Sequence, residues 1–339
     1  MIRATVCALL AGALLLTVPG GSSHADTGVT VIKVATMAPR TKRTVLRSKK
    51  FNAKLKEATQ GRVEFRTYYG GVMGDDHTVL RKIKSGQIDA SAFGSSMVAN
   101  FVRQAAVLNA PRTFTNYKQV DAVRRELSPD FNEEAFRNGF KVLSWWDFGK
   151  VRMFSKSPVR TISDLTKMRP WLYPHSPLLR QFYKNNGVTG VPLGIREVYG
   201  ALQVGMIDTV WASAVVAMAL RWNTKIKYMS EPLGIIQGAF VLSRKTWDKL
   251  SPEDQVPLMK MIADNRVEFQ AEIRKADGDS YRRMLKRGLR LVKFKNTKEW
   301  QASGMKLRKQ MIGRVYNKAL LDRVEAIAAK YKDPNSDIL

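Results

Sequence analysis

The sequence predicts an α/β protein with two lobes, each containing a mostly parallel sheet flanked by helices. Three observations support this fold class. Strand and helix patterns alternate along the chain from residue 29 onward, as they do in parallel α/β sheets. A segment consisting of a helix, Gly, Ile-Asp and a strand occurs twice, at residues 83–90 and 202–209. The segment Ser251–Asp254 begins a long helical region, which we expect to brace both lobes.

The first lobe is predicted from three strands with a helix between each pair. A basic helix ends before Gly61, and a second helix, capped by Asp75 or Asp76, ends at Gly86. Because the order is β-α-β-α-β, the three strands are expected to pair in parallel. The strands are predicted from β-branched or alternating residues at 29–36, 63–69 and 88–93.

The second lobe is predicted to follow the same design. Ser163 is expected to cap a short helical turn, and helices around 178–183 and 198–202 end at Gly187 and Gly205. We expect lobe 1 at residues 26–149 with a returning strand near 238–250, lobe 2 at 150–237, and C-terminal helices of 251–339 packing across both lobes. The strands of lobe 2 are predicted at residues 151–154, 171–173 and 207–211.

The repeated segment indicates two lobes that face one cleft. Gly86 and Gly205 each follow a helix, at a position whose left-handed backbone penalises any side chain. The alternative is two common helix-to-strand loops within one large sheet. Ligands of open α/β sheets bind at the carboxyl ends of strands. Those ends are predicted at Phe93–Ser96 and Trp211–Ser213.

The N-terminus has the pattern of a secretory signal peptide at residues 1–25. Arg3 precedes a short apolar run, 6–18, and Ser23-His24-Ala25 supplies small residues at positions −3 and −1. An uncleaved membrane anchor is the alternative, although the apolar run is short for a membrane span. The pattern therefore predicts a periplasmic location.

Composition excludes several kinds of site. The single cysteine, Cys7, lies in the predicted signal peptide, so no disulfide or Cys-based metal site is expected after cleavage. Only His77 and His175 follow the signal peptide, so no metal is expected. The net charge of +28 raises nucleic acid and anionic membranes as partners, but the Lys and Arg residues are scattered. We therefore expect no nucleic acid, and membrane contact only through a partner protein.

No catalytic constellation is present in the sequence. It contains no G-x-S-x-G segment, no P-loop and no G-x-G-x-x-G after a strand. Asp75-Asp76-His77 resembles a metal triad, but a helix cap explains the aspartates better. We therefore expect no enzyme and no cofactor.

The aromatic residues point instead to a ligand cavity. Trp145–Phe148 ends a strand-like run before lobe 2, and Trp171 and Trp211 each lie on a predicted strand. An indole offers a wide apolar face and one N–H donor, which suits a cavity wall. Core packing is the alternative for each ring. It is the role expected for Trp222, Trp247 and Trp300.

The chain resembles the substrate-binding subunits of TRAP transporters, the DctP family. The Glu-Val-Tyr-x-Ala-Leu-Gln-x-Gly-x-x-Asp string at 197–208 is especially specific. This resemblance implies the two-lobed periplasmic binding protein fold, closing on a small organic ligand that is passed to TRAP permease membrane subunits. The matching segments are Val34–Pro39, Gly70–Gly74, Lys84–Asp89, Pro158–Leu165, Glu197–Asp208 and Trp247–Gln255.

The chain departs from the family at two positions that usually contact a substrate carboxylate. Trp171 occupies the place of the usual clamping arginine, two residues after Arg169, and Ala212 that of the usual asparagine. A second family arginine is retained as Arg152. We therefore expect a ligand more apolar or aromatic than a C4-dicarboxylate. The residues expected to bind it are Trp171, Trp211, Arg152, Phe93, Ser95, Trp146, Tyr173, Arg169 and Met37.

Two alternatives remain open at this point. One is an ordinary carboxylate or dicarboxylate receptor with Arg169 or Arg152 as the clamp. The other is a periplasmic carrier or sensor that uses the same fold without a TRAP permease.

We predict export and cleavage after Ala25. The intact mass of the periplasmic protein should correspond to a chain beginning at Asp26. A mature protein that still carries residues 1–25 would contradict this expectation.

Overall fold

The computed structural model describes residues 28–336 and residue 338, so the predicted signal peptide at residues 1–25 lies outside the described residues. The ten strands are β1 (Thr30–Ala35), β2 (Val63–Tyr68), β3 (Ala90–Gly94), β4 (Phe140–Ser155), β5 (Trp171–Leu172), β6 (Val191–Pro192), β7 (Thr209–Ser213), β8 (Tyr228–Ser230), β9 (Gly234–Ser243) and β10 (Arg290–Val292).

The helices alternate with these strands and then fill the C-terminal part. They are α1 (Lys42–Ala58), α2 (Asp76–Lys84), α3 (Ser95–Val98), α4 (Tyr117–Arg137), α5 (Ile162–Thr166), α6 (Pro177–Asn185), α7 (Val198–Val204), α8 (Ala214–Ala219), α9 (Arg244–Trp247), α10 (Pro252–Lys286), α11 (Thr297–Gln310) and α12 (Lys318–Ala329), with 3₁₀ turns at Arg103–Asn109 and Trp222–Thr224. Among the described residues, no helix is both long and apolar enough to cross a membrane.

Local sequence signals determine several of these boundaries. Asp75 caps α2, since its carboxylate accepts the backbone N–H of Thr78 at 2.8 Å. Gly86 and Gly205 have left-handed φ angles of 78° and 76°, as the repeated segment predicts. The expected cap at Ser163 is wrong: α5 begins after Thr161, whose side chain and that of Asp164 form a reciprocal capping box.

The sheet of the first lobe has the expected parallel core. β1 pairs in parallel with β2 and β3, and β3 then pairs antiparallel with β9. In the second lobe, β7 and β8 pair antiparallel with β4, and β10 pairs with β8. The chain therefore has a mixed α/β architecture, with helices flanking the strands.

Two long strands connect the lobes. β4 pairs with β9 from Phe140 to Val151, with a register shift between Asp147 and Lys150, and continues into the second lobe to pair with β7 and β8. Trp145–Phe148 therefore does not end a strand. Eight of the ten described strands form one hydrogen-bonded sheet that runs through both lobes, which combines the two-lobe and one-sheet interpretations, whereas β5 and β6 pair separately in parallel. The residue ranges of the two lobes stay a prediction.

A buried ionic network lies where β4 crosses between the lobes. Asp147 of β4 is fully buried, and its carboxylate is 2.7 Å from the guanidinium of Arg274 in α10 and 3.2 Å from that of Arg124 in α4. Arg274 also pairs with Asp121 at 2.7 Å. A buried charge is tolerated only when it is paired and hydrogen-bonded, so these residues fix α10 and α4 against β4.

Removal of one partner should therefore destabilise the fold. Arg274→Met leaves Asp147 with a single guanidinium, and we expect the free energy of unfolding to fall by about 3 kcal/mol. Arg282→Met is the matched control, because Arg282 forms an exposed pair with Asp279 in the same helix and should cost less than about 1 kcal/mol. Urea unfolding compares them. Equal losses in the two variants would contradict the role of the network.

Candidate functional site

A cleft of about 450 Å³ lies between the lobes. Its floor includes Phe148 and Val151 of β4 and the β9 residues Gly234–Ile236, so the crossing strands form part of the cavity wall. Most of its lining is apolar. The described polar side chains that border it are Asp76, Ser95, Ser96, Asn109, Arg112, Tyr173, Ser176 and Gln301.

The first lobe contributes Met37 and the segment after β3. The Ser95 hydroxyl donates to the backbone oxygen of Gln237 at 2.9 Å and contacts the amide nitrogen of Asn109. Gln237 in turn donates to the backbone oxygen of Leu108 at 2.9 Å. Ser95 therefore borders the cleft as predicted by position, but its hydroxyl proton is already used to hold α3 against β9.

The second lobe contributes two tryptophan faces. Trp171 Nε1 donates to the backbone oxygen of Leu193 at 2.8 Å, and Trp211 Nε1 donates to the Tyr183 hydroxyl at 2.8 Å. Tyr183 donates to the backbone oxygen of Trp171 at 2.9 Å, which links the two strands that carry the rings. The expected free indole N–H donor is therefore wrong for both residues. They present only their aromatic surfaces.

Other tryptophans occupy different places from those expected. Trp222 and Trp300 border the cleft rather than serving only the core, whereas Trp247 packs in the core of the first lobe. Trp146 does not border it: its ring packs against Phe269 of α10 at 4.9 Å and against Phe240 at 5.9 Å. β4 has register shifts on both sides of this residue, so the alternation in the sequence does not show which side chains face the cleft.

Phe93 also lies outside the cleft lining. It is fully buried and packs against Phe101, with ring centroids 6.4 Å apart. Gly94, Ser95 and Ser96, which follow it, do line the cavity. The carboxyl end of β3 thus meets the cleft as expected, but Phe93 belongs to the core beneath it.

The two arginines expected to meet the ligand lie elsewhere. Arg152 Nη1 donates to the backbone oxygen of Ser230 at 2.9 Å, and its guanidinium lies 4.4 Å from the ring centroid of Tyr281 in α10. The Arg169 side chain is 63% exposed and lies 3.6 Å from Asp208. Neither residue borders the cleft, which does not fit a carboxylate clamp at either position.

Arg112 borders the cleft and was not predicted. It follows the 3₁₀ turn at Arg103–Asn109 and has a left-handed φ of 60°. It is the only Lys or Arg of the described chain that lines the cavity. Burial, and next the charge of Arg308, lower the pKa of Arg112. No motif marks this residue in the sequence, because its position depends on a loop conformation.

Asp76 and Tyr173 connect the two lobes beside the cleft. The Tyr173 hydroxyl donates to Asp76 Oδ2 at 3.3 Å. Burial raises the pKa of Asp76 to about 6, partly offset by the hydrogen bond from Tyr173. Tyr173 also packs against Trp171, with ring centroids 5.8 Å apart. Tyr173, a predicted site residue, thus forms part of the cavity wall and also contacts the other lobe.

Two histidines stack across the same seam. The rings of His77 in α2 and His175 in the second lobe are 4.5 Å apart and nearly parallel, at 7°. Burial, and next the charge of His77, lower the pKa of His175, while Asp75 opposes this shift. Within residues 28–336, no group of three or more His, Cys, Asp or Glu side chains is arranged to hold a metal ion. The stack joins α2 to the segment before α6, across the seam between the lobes.

The family model DctP, bacterial extracellular solute-binding protein, family 7, matches residues 34–314. The chain belongs to this family. As a DctP-family protein it is a TRAP-type periplasmic substrate-binding protein, a solute receptor and not an enzyme.

The named relatives have low sequence identity to this chain, but their alignments cover more than half of it. The 2,3-diketo-L-gulonate-binding periplasmic protein YiaO of Escherichia coli K12 is 26% identical over 222 residues, which cover 62% of this chain and 65% of that protein. The C4-dicarboxylate-binding periplasmic protein DctP of Vibrio cholerae is 22% identical over 277 residues, covering 79% and 82%.

Solved structures share the fold. A TRAP periplasmic solute-binding protein from Pseudomonas putida F1 with bound D-glucuronate has a TM-score of 0.78 and 23% identity, covering 88% of this chain and 97% of that one. The sugar acid binding protein DctPAm from Advenella mimigardefordensis, in complex with galactonate, has a TM-score of 0.83 and 15% identity, covering 90% and 99%. These likenesses confirm the two-lobed fold.

The histidine stack predicts a pH-dependent stability difference. Because the folded-state pKa of His175 is lowered, the stability that depends on its neutral form is present above about pH 6.5 and is lost as the pH falls. Asp76 changes the stability in the opposite direction: because its pKa is raised in the folded state, the folded protein takes up a proton more readily and gains stability as the pH falls. Asp75, Arg81, Tyr173 and Arg180 also face the pair.

A variant isolates the histidine contribution. As the pH is lowered from 7.5 to 5.5, the wild type loses the stability that depends on neutral His175, whereas His175→Gln does not. We therefore expect the Tm of His175→Gln to rise relative to the Tm of the wild type. The titration of Asp76 cancels in this comparison, because both proteins contain it. Scanning calorimetry at several pH values measures this. A Tm difference that does not change with pH would contradict the role of the stack.

Proposed function

We propose that this receptor captures an organic acid whose body is predominantly apolar or aromatic and passes it to a TRAP permease. The observation that carries the proposal is the wall formed by Trp171 and Trp211, whose N–H groups are both satisfied within the protein. A ligand that meets these rings contacts apolar surface only. Burial of such surface is favourable by about 25 cal/mol per Å².

A polyhydroxylated body fits this cleft less well. Each hydroxyl that loses water without a hydrogen-bond partner costs about 1–3 kcal/mol. Polar side chains are a minority of the residues that border the cavity, and the Ser95 hydroxyl proton is already used. The D-glucuronate and galactonate bound in similar structures both carry a carboxylate, which supports an acid as the ligand class.

The route of the ligand follows from the family. DctP-family relatives are periplasmic proteins, which supports cleavage of residues 1–25 and release into the periplasm. The proposed partner is the membrane part of a TRAP permease. The alternative dicarboxylate clamp at Arg152 or Arg169 is less favoured, because neither residue borders the cleft.

Trp171→Ala should weaken binding of an apolar acid by about 2 kcal/mol or more, a factor of roughly 30, if the ring is a central contact. Trp171→Phe, which keeps an aromatic face, is the matched variant and should lose less. Calorimetric titration compares 3-phenylpropionate, octanoate, succinate and D-glucuronate. Tight binding of succinate or D-glucuronate without binding of either apolar acid would contradict the proposal.

A further inference from the structure

The part of the cleft beside α11 has a distinct composition. Trp300, Gln301 and Gly304 of α11 border the cavity there, opposite the loop that carries Arg112. Gly304 has no side chain, and a Cβ atom at this position would lie 3.2 Å from the Pro111 ring and 3.7 Å from Arg112 Cγ. The missing side chain leaves room for the guanidinium stem at this end of the cavity.

We infer that Arg112 binds the carboxylate of the ligand, at the α11 end of the cleft. This inference rests on the proposed function and adds the position of the acid group. It places the anion site on the first lobe, rather than at the second-lobe positions Arg152 and Arg169.

The charges around Arg112 favour an anion. No acidic side chain of the described residues lies within ion-pair distance of it. The nearby Arg308 donates to the backbone oxygen of Arg112 at 3.4 Å and has its own partner, Glu325, at 3.4 Å. Burial beside a second cation lowers the pKa of Arg112, which is the response of a guanidinium that lacks a counter-charge. A carboxylate would supply that charge and two hydrogen-bond acceptors.

The backbone supports a specific role for this position. A φ of 60° is uncommon for a residue other than glycine, asparagine or aspartate, and such conformations persist where surrounding structure maintains them. The Arg308 contact to the Arg112 carbonyl is one such restraint. The side chain is therefore presented from a backbone that the neighbouring helix holds in place.

The other end of the cleft selects against a second acid group. Asp76 borders the cavity on the side of Trp171 and Tyr173, where its carboxylate accepts a hydrogen bond from the Tyr173 hydroxyl at 3.3 Å. A second carboxylate placed there would meet a like charge in a poorly hydrated site. The ligand class is therefore a monocarboxylate with an apolar body.

The test uses acids paired with their neutral amides. Wild-type protein is titrated with 3-phenylpropionate and octanoate, and with the primary amide of each. We expect each acid to bind at least 10-fold more tightly than its amide, since a hydrogen bond between two charged groups is stronger than one to a neutral amide. Arg112→Asn, whose new side chain tolerates a left-handed backbone, should abolish this preference. Arg112→Lys should keep part of it.

Arg169→Gln is the matched control, because Arg169 lies outside the cleft, and it should keep the full preference. Preference for the acid that survives Arg112→Asn, or that is lost in Arg169→Gln instead, would overturn the Arg112 site while leaving the apolar-acid function intact. If neither the acids nor the amides bind, the apolar-acid function itself is contradicted and the Arg112 site with it. Thermal unfolding of each variant establishes that it is folded.

Discussion

A row of polar side chains on α10 holds the strand that both lobes share. Gln270, Arg274 and Asp277 lie at helical spacing and all face β4. Gln270 accepts the backbone N–H of Asp147 at 2.9 Å, and Asp277 accepts that of Lys150 at 3.1 Å. These bonds pair the backbone N–H groups of Asp147 and Lys150, at the two ends of the stretch where the register of β4 with β9 shifts.

The same row connects the crossing point to the second lobe. Asp277 also accepts the backbone N–H of Val215, at the start of α8, at 3.0 Å. Gly149 makes this approach possible: its φ is 100°, and a Cβ atom there would lie 2.4 Å from the Asp277 carboxyl carbon. Val151 and Phe148 of the strand held in this way form part of the cleft floor. The helix that braces the lobes therefore also fixes one wall of the ligand cavity.

Local signals made much of the fold predictable. Gly86 and Gly205 are predictable because a left-handed helix end excludes most other residues, and Asp75 because a helix N-terminus needs an acceptor. Trp171, Trp211, Tyr173, Met37 and Ser95 were placed at the cleft from strand ends and family motifs, and all five border it. Whether they contact a ligand stays a prediction.

The remaining site residues depend on tertiary structure. Arg152 was expected in the cleft, but packing against Tyr281 of a helix more than one hundred residues later directs it away. No local pattern marks Arg112, because its loop packs beside the cavity against α11, a helix more than 180 residues later in the chain. The use of both indole N–H groups depends on Leu193 and Tyr183, whose contacts no local pattern shows.

The cleft between the lobes is proposed to hold an apolar organic acid. To test this, the protein is isolated from the periplasm of its own host, and the ligand that copurifies with it is identified. Native mass spectrometry gives the mass of the bound compound, and denaturing extraction followed by mass spectrometry gives its composition. We expect one monocarboxylate per chain with an aromatic or long aliphatic body. A dicarboxylate or a polyhydroxylated sugar acid at full occupancy would contradict it.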